Sequence, residues 1–392
     1  MRGRIFKRKN SKHWTMVVDV GIDKKTGKRH QLFRTFNTKH EAQSELAKVL
    51  ADAQHSPYIK PTQLTVGEFL RQWLNDHVSN TVRPVTANGY HHWIEKHVIT
   101  ELGQIKLNQL DALDIEAFYQ KQLEGGHRGN KGALSARSVL HLHRLLHNAL
   151  SYAVKQGIIG RNVCEAVDPP RVRQKQMKAL TAEDVNRLLE ASRETLYYPI
   201  FHLAIFTGMR RSELLGLRWC DVDLDMATLS VTQVKHCLGG GKIVFEEPKT
   251  EKSRRQIALS PVAVIALREH RQRQEGEHLM LGTKMTDDDL VFTNPDGTQL
   301  LPASVTHAFI KIIRRLGLKG VRFHDLRHTH ATLLLRQGVN IKALQERLGH
   351  STITTTLDIY AHVTPGMQKE AALKFDEALK QARVEGAIDT AR

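Results

Sequence analysis

The chain has 392 residues, which is longer than one compact domain usually runs, so two or three domains are expected. Hydrophobic residues make up 41% of the chain, but no apolar run approaches the ~20 residues that a membrane span requires, which predicts a soluble protein without a membrane partner. Lysine and arginine exceed aspartate and glutamate by 58 − 41 = 17, and this excess favours a nucleic acid as partner.

The N-terminus and the cysteines both indicate a cytoplasmic location. Residues 1–9 are basic but lack the apolar core and the cleavage site of a secretory signal. Cys164, Cys220 and Cys237 fit a reducing compartment, and none of them belongs to a C-x-x-C pair that would suggest zinc or redox chemistry.

Residues 1–60 concentrate the positive charge, with 14 Lys or Arg against 5 Asp or Glu. Alternating apolar residues at 14–36 around turn residues 23–28 predict a β-hairpin, and Thr38 with Glu41 predicts a capped helix after it. The alternative is a solvated basic arm, but the strand and helix patterns favour a folded DNA-binding module at 1–56, a small three-stranded sheet plus a helix.

Helical patterns dominate the middle of the chain. A Pro-containing linker at 56–61 precedes them, and apolar residues at helical spacing predict an all-α domain at 63–170. The glycine-rich stretch 125–132 is interpreted as a basic loop and not as a phosphate cradle, because no Lys-Ser or Lys-Thr follows its glycines. A second linker at 168–176 leads to a third domain.

The third domain, 175–392, is predicted to be mainly helical with a small antiparallel sheet. Thr181 and Asp184 form a capping pair, and strand candidates occur at 228–232, 243–245 and 256–259. The predicted fold class is therefore multidomain α+β.

Three short segments of this domain carry candidate chemistry. After Thr207-Gly208 a new helix is predicted near Arg210, which puts Glu213 on the same face one turn later. An ordinary surface ion pair is the alternative interpretation.

The second segment contains His324 and Arg327, again three residues apart and able to address one ligand. His324 and His328 are also spaced for zinc, but Asp325 stands where a zinc-protease helix has glutamate, so a metal site is disfavoured. The third segment is Leu348-Gly349-His350, in which glycine ends a helix and histidine follows in the turn, ten residues before Tyr360.

Together these segments resemble the tyrosine recombinase family, whose signature is an Arg after Thr-Gly, a His-x-x-Arg box, and Leu-Gly-His followed by a Tyr. The match covers about 181–362, and the order of the two preceding domains resembles phage and conjugative-element integrases with an arm-type DNA-binding module and a core-binding module. The resemblance implies that Tyr360 is the nucleophile, that Glu213 is supporting, and that the following residues surround the scissile phosphate: Arg210, Lys249, His324, Arg327 and His350. Lys252 in the same turn is an alternative to Lys249.

These residue types suit phosphoryl transfer without a metal or a cofactor. Arginines hold the non-bridging oxygens with paired, permanently charged donors, and a phenol needs a proton acceptor and a positive setting. A lysine can protonate the departing 5′-oxygen. The implied product is a 3′-phosphotyrosyl link that a 5′-hydroxyl of a partner duplex reverses.

The resemblance also implies the partners: double-stranded DNA with core and arm sequences, an excisionase and a host DNA-bending protein. It implies a bacterial, nucleoid-associated enzyme encoded by a phage or another mobile element. Apolar residues at four-residue intervals from Met367 to Leu379 predict a terminal helix, which in related recombinases docks on a neighbouring protomer of a tetramer; packing on its own domain is the alternative.

Three other functions remain open at this point. A recombinase that resolves chromosome or plasmid dimers shares the chemistry but usually lacks the basic N-terminal module, and a type IB topoisomerase shares the phosphotyrosine step. A non-enzymatic DNA-binding regulator would explain the charge but not the three segments.

Overall fold

The computed structural model describes residues 3–7, 12–22, 29–55, 63–125, 133–172 and 178–360, together with positions 372, 373, 375, 376 and 379. The chain divides into two compact units, 1–174 and 175–392. The predicted turn at 23–28, most of the two linkers and of the glycine-rich loop, and most of the predicted terminal helix lie outside the described residues. The three-domain division therefore stays a prediction.

The first unit begins with the predicted sheet and helix. Its antiparallel strands have the order β1-β2-β3 and are followed by one helix: β1 Gly3–Lys7, β2 Trp14–Ile22, β3 Arg29–Phe36 and α1 Lys39–His55. The Thr38 hydroxyl accepts from the Glu41 amide at 3.2 Å, and the Glu41 carboxylate accepts from the Thr38 amide at 3.3 Å, so the predicted cap is confirmed. Met16 and Val18 on β2 and Ala42 on α1 are fully buried.

The rest of the first unit is helical, as predicted. Its α-helices are α2 Val66–Gln72, α3 Ser79–Thr81, α4 Pro84–Trp93, α5 Ile99–Leu102, α6 Ala112–Gly125 and α7 Ala136–Lys155. Thr65 and Glu68 form a capping box at the start of α2, and wider π-helical turns at 73–78 and 94–98 continue α2 and α4. Trp73, Ile115 and Leu142 lie in one apolar core.

The second unit has more helices than strands. Its helices are α8 Ala182–Ser192, α9 Tyr198–Thr207, α10 Arg211–Gly216, α11 Pro261–Met280, α12 Pro302–Arg315, α13 Asp325–Arg336, α14 Ile341–Leu348 and α15 Ile353–Tyr360. Its strands are β4 Val222–Asp223, β5 Thr228–Val231, β6 Val234–Cys237, β7 Ile243–Glu246 and β8 Arg255–Ala258. They form an antiparallel sheet of order β4-β5-β8 and a separate β6-β7 hairpin.

The three predicted strands of this unit correspond to β5, β7 and β8, while β4 and β6 were not predicted. Strand β6 is not expected from the sequence, because the adjacent polar residues Lys235 and His236 interrupt the apolar and polar alternation of a strand. Burial of a lysine is rare and is not expected from the sequence.

The core of the second unit forms around helix α9, which is buried along most of its length. Phe201 on α9 packs against Phe309 and Phe323, with ring centroids 5.7 and 6.0 Å away. Burying one such ring contributes about 1.5–3 kcal/mol to the free energy of unfolding. These contacts anchor α9, whose C-terminal end leads into the first candidate segment. Among the residues that the structure describes, no helix has both the length and the apolar character needed to cross a membrane.

Candidate active site

Two glycines end the helices that lead into the candidate site. Gly208 after α9 and Gly349 after α14 both adopt the left-handed conformation, with φ of 67° and 64°. A Cβ on Gly208 would lie 2.7 Å from His330, and a Cβ on Gly349 would lie 3.0 Å from Arg255. Both turns therefore require glycine for their conformation and for the close packing around them.

Arg210 lies at the N-cap of α10 and is held by Glu213. Its amide donates to Glu213 Oε2 at 2.8 Å, and its Nη1 donates to Glu213 Oε1 at 2.7 Å. The Arg210 side chain keeps 35% of its surface exposed, whereas the Glu213 side chain keeps 2%. The predicted shared face is confirmed, and the pair is not an ordinary surface ion pair because its carboxylate is buried.

Arg255, at the start of β8, holds the same carboxylate from the other side. Its Nη1 and Nη2 donate to the two Glu213 oxygens at 3.2 and 2.9 Å, and its Nε donates to the Arg347 carbonyl at 2.7 Å. Burial by itself would raise the pKa of Glu213, but Arg255 and then Arg210 outweigh burial and lower it to about 2. Glu213 is therefore a permanent anion that orients two arginines.

Arg327, in the first turn of α13, connects the two glycine turns. Its Nη1 donates to the Gly208 carbonyl at 2.8 Å, and its Nη2 donates to the Leu348 carbonyl at 2.5 Å. Burial, with a further contribution from Arg210, lowers the pKa of Arg327 to about 9, which leaves it protonated at neutral pH. Arg210, Arg255 and Arg327 thus face one carboxylate, a local surplus of 3 − 1 = 2 positive charges.

His350 follows Gly349 and is 7% exposed. Its Nδ1 lies 2.9 Å from the hydroxyl of Thr356 on α15, and its carbonyl accepts from Gln345 Nε2 at 3.1 Å. Burial, then Arg327 and Arg210, lower the pKa of His350 to about 3, so the ring is neutral at pH 7. Tyr360 is the last residue of α15, one helical turn after Thr356, and its side chain lies outside the described residues.

His324 precedes α13 and packs edge-to-face on His328, with ring centroids 5.2 Å apart. Desolvation by the surrounding protein, followed by His328, Arg327 and Arg210, lowers the pKa of His324 to about 4. His324 is therefore neutral at physiological pH and able to accept a proton. No group of three or more metal-binding side chains occurs in the part of the chain that the structure describes.

The loop between β7 and β8 carries both candidate lysines. Lys249 is exposed, while Lys252 donates from Nζ to the Ser351 carbonyl at 3.1 Å, next to His350. The same loop contacts Arg255, whose Nη1 also lies 3.1 Å from the Ser253 carbonyl. The Lys252 ammonium thus fastens the loop to the turn that contains His350.

A half-buried arginine, Arg347, and the buried His330 pack against the site. Arg347 donates from Nε to His330 Nε2 at 3.1 Å, which requires His330 Nδ1 to carry the proton it donates to the Ile205 carbonyl at 2.8 Å. Arg347 also donates to the carbonyls of Phe206 and Ala258 at 2.9 and 3.0 Å. These bonds tie α14 to the end of α9 and to β8.

The sequence did not identify Arg255 or Arg347 as part of the site. A usable signal for Arg255 is the two-residue period of its strand, because Ile257 and Leu259 are buried while Gln256 and Ala258 are exposed. That alternation assigns Arg255 to the buried face of β8. For Arg347 we find no comparable signal, since it follows a helical pattern of ordinary polar residues.

The structure thus brings Arg210, Glu213, His324, Arg327 and His350 together, with the Lys249 loop beside them and Tyr360 at the end of the adjoining helix. Clustered permanent cations and neutral histidines characterise a site for transfer of a phosphoryl group.

The chain matches two families of known proteins. Residues 178–367 match the phage integrase family, and residues 65–123 match the phage integrase N-terminal SAM-like domain. The chain belongs to the phage integrase family, and it is a tyrosine-type site-specific recombinase, an enzyme that cleaves and rejoins DNA strands.

Several relatives are similar over nearly their whole length. A tyrosine recombinase XerC-like protein of Caldanaerobacter subterraneus is 29% identical over 382 residues, covering 93% of this chain and 96% of the relative. The ICEBs1 integrase of Bacillus subtilis is 27% identical, and the match covers 92% of this chain and 96% of that relative.

Solved structures share the fold. The Tn1549 transposon integrase, in complex with a circular intermediate DNA, is 21% identical, with a TM-score of 0.67 over 80% of this chain and 100% of that chain. A lambda integrase tetramer bound to a Holliday junction gives a TM-score of 0.56 at 19% identity. The match covers 89% of this chain and 96% of that chain.

Proposed function

We propose that Tyr360 is the nucleophile of this recombinase and that five side chains bind the scissile phosphate or transfer its protons: Arg210, Lys249, His324, Arg327 and His350. One observation carries the proposal. Arg210 and Arg327, together with Arg255, place more positive charge around Glu213 than this one carboxylate neutralises, and a DNA phosphate supplies the missing negative charge.

In the first step the Tyr360 oxygen attacks phosphorus and the bond to the 5′-oxygen breaks. Negative charge grows on the two non-bridging oxygens, which Arg210 and Arg327 hold with charged donors. The phenol proton passes to His324, which is neutral in the unliganded protein and becomes a stronger base once the negative phosphate lies beside it. If the Thr356 hydroxyl donates to Nδ1 of His350, the Nε2–H remains as a further donor to the phosphate.

The departing 5′-oxygen takes a proton from Lys249. We assign this role to Lys249 because it is exposed in its loop, whereas the ammonium of Lys252 is bound by the Ser351 carbonyl. Strand exchange reverses these steps: the 5′-hydroxyl of a partner duplex attacks the 3′-phosphotyrosyl bond, and Tyr360 leaves with a proton returned from His324. The phosphoester bond energy is conserved, so no nucleotide cofactor is required.

We further propose that this enzyme integrates and excises a mobile element. Support comes from the basic N-terminal sheet and helix, which a dimer-resolving recombinase usually lacks, and from full-length relatives named as integrases. The lambda integrase structure shows a tetramer on a Holliday junction, and the same assembly is proposed for this chain, with an excisionase and a DNA-bending protein controlling its direction.

A covalent-adduct experiment tests the nucleophile. The protein is incubated with a nicked duplex taken from the repeat that flanks the integrated element, and denaturing gels detect protein bound to DNA. We expect an adduct with the wild type and none with Tyr360→Phe, because the variant lacks the attacking oxygen. An undiminished adduct in Tyr360→Phe would exclude Tyr360, and its absence in the wild type would contradict the proposed reaction.

A leaving-group experiment tests Lys249. In DNA whose scissile 5′-oxygen is replaced by sulfur, the leaving thiolate needs no proton, since thiols are far more acidic than alcohols. Lys249→Ala should slow single-turnover cleavage of ordinary DNA by ~10²–10⁴-fold and the sulfur-containing DNA hardly at all. Lys252→Ala is the matched control, and rescue of Lys252→Ala instead would reverse the assignment.

A further inference from the structure

A pocket of about 590 Å³ adjoins the candidate site, and its walls include Arg210 and His324. Four other basic side chains line the pocket: Arg211 from α10, Lys235 and His236 from β6, and Arg322 before α13. We call these six residues the cationic pocket. None of its described lining residues is an aspartate or a glutamate.

Two basic groups of the cationic pocket, Arg211 and Lys235, are held by neutral acceptors, whereas Arg210 and Arg322 each pair with a buried carboxylate. Arg211 donates from Nη1 to the Thr306 hydroxyl and to the Pro302 carbonyl, and Lys235, 1% exposed, donates to the Leu300 carbonyl at 3.0 Å. Because carbonyl and hydroxyl groups do not neutralise a cation, Arg211 keeps its positive charge within the wall of the pocket, while burial lowers the pKa of Lys235.

Arg322 pairs with Asp325 at 3.1 Å, much as Arg210 pairs with Glu213. Asp325 is 2% exposed, whereas the Arg322 side chain is 73% exposed. The carboxylate therefore points into the protein and fixes Arg322, while most of the guanidinium surface faces the solvent. Arg210, Arg211 and Arg322 carry permanent positive charges, and two buried carboxylates lie beside them, Glu213 and Asp325. Because Glu213 is also paired with Arg255, the pocket keeps a surplus of positive charge.

We propose that the cationic pocket binds a second backbone phosphate of the DNA, the neighbour of the scissile phosphate on the cleaved strand. This inference rests on the proposed function, because Arg210 and His324 belong to both places and locate the scissile phosphate at the edge of the pocket. A strand carries one phosphate per 3.4 Å of helix rise, so the phosphate next to one held by Arg210 lies within reach of the adjoining walls.

The second contact gives the pocket a function in positioning. An arginine anchored by protein carbonyls fixes a phosphate without reading a base, and two phosphates held at once fix the direction of the strand. That direction determines which P–O bond lies in line with the tyrosine, and alignment of the reacting atoms strongly affects the rate.

A charge-removal cycle tests the second phosphate site. Half-site duplexes from the terminal repeat of the element receive one uncharged methylphosphonate at each position near the scissile phosphate in turn. Equilibrium binding is measured in the Tyr360→Phe background, with and without Arg322→Gln or His236→Gln. Arg336→Gln, at the opposite end of α13 and exposed, is the matched control.

We expect Arg322→Gln and His236→Gln to weaken binding of unmodified DNA by about tenfold, the range of a charge-assisted hydrogen bond. When the methylphosphonate replaces one particular neighbouring phosphate, the variants should lose no further affinity. At every other position, the losses caused by the variant and by the methylphosphonate should add. A loss that is the same at every position, or no loss at all, overturns the proposal. If Arg322→Gln does not fold, His236→Gln alone decides.

Because binding is measured without cleavage, this cycle is independent of the covalent-adduct experiment. A wild type that forms no adduct refutes the proposed chemistry, whereas a cycle without a position-specific effect refutes only the second phosphate site.

Discussion

Each of the two units contains an arginine that binds a glutamate through two hydrogen bonds. In the helical part of the first unit, Arg71 donates to Glu95 at 2.8 and 3.0 Å, and in the second unit Arg255 donates to Glu213 at 2.9 and 3.2 Å. The contacts are alike, but the side chains of the first pair are 52% and 44% exposed and those of the second 6% and 2%.

The difference between the two pairs lies in burial and in what surrounds them. Water solvates and screens Arg71 and Glu95, so their contact stabilises the unit little. Glu213 is not solvated by water in this way, and it remains charged because Arg210 binds it in addition to Arg255. Burying charged groups costs free energy because they lose their water. A protein that buries them beside two glycine turns holds these groups in fixed positions for a ligand.

Removal of Arg255 should have the largest effect. Arg255→Met leaves Glu213 buried with one partner, and breaking a buried pair costs about 3–5 kcal/mol of unfolding free energy. Single-turnover cleavage should also slow, because Arg210 loses its fixed orientation, and Arg255→Lys should restore part of both. Urea denaturation and gel-based cleavage measure the two effects.

The neighbouring Arg254 provides a matched control for this prediction. Arg254 is 55% exposed and pairs with the exposed Glu247. Arg254→Met should change neither the urea midpoint nor the cleavage rate appreciably. If Arg255→Met resembles Arg254→Met, the buried carboxylate is not what holds Arg210.

The pH dependence of stability should show an intermediate effect. The pKa of Glu213 falls from 4.5 to about 2 on folding, so its contribution is complete above pH 4.5 and is lost as the pH falls toward 2. Across that window the loss amounts to about 3 kcal/mol, at 1.36 kcal/mol per pH unit. Urea midpoints measured from pH 5 to 3 should fall more steeply in the wild type than in Glu213→Gln, and parallel slopes would show that Glu213 does not have this lowered pKa.

Removal of the exposed pair should have the smallest effect. Arg71→Met deletes both hydrogen bonds to Glu95, yet exposed pairs contribute about 0–1 kcal/mol. The change in Tm that Arg71→Met causes should therefore be close to zero at both low and high salt. A loss as large as that of Arg255→Met would mean that burial does not explain the comparison.

Much of the second unit could be predicted because its determinants are local. Thr181 caps α8 through a hydrogen bond to the Asp184 amide at 3.1 Å, and Gly208 and Gly349 end their helices in the left-handed conformation that glycine tolerates. The ion pair of Arg210 and Glu213 follows from helical spacing alone. Strand β6 could not be predicted, because its adjacent polar residues Lys235 and His236 interrupt the alternation that identifies a strand.

The sequence by itself determined the helix ends, the three candidate segments and the family to which they belong, since each depends on residues within a few positions of one another. Only the tertiary structure decided that Arg255 binds Glu213, 42 positions away in the sequence, and that Arg347 binds the carbonyl of Phe206, 141 positions away. It alone decided that Arg211, Lys235 and Arg322 line one pocket beside Arg210. The physical reason is that a local pattern reports which face of an element is buried, whereas the partner of a buried charge depends on how distant elements pack.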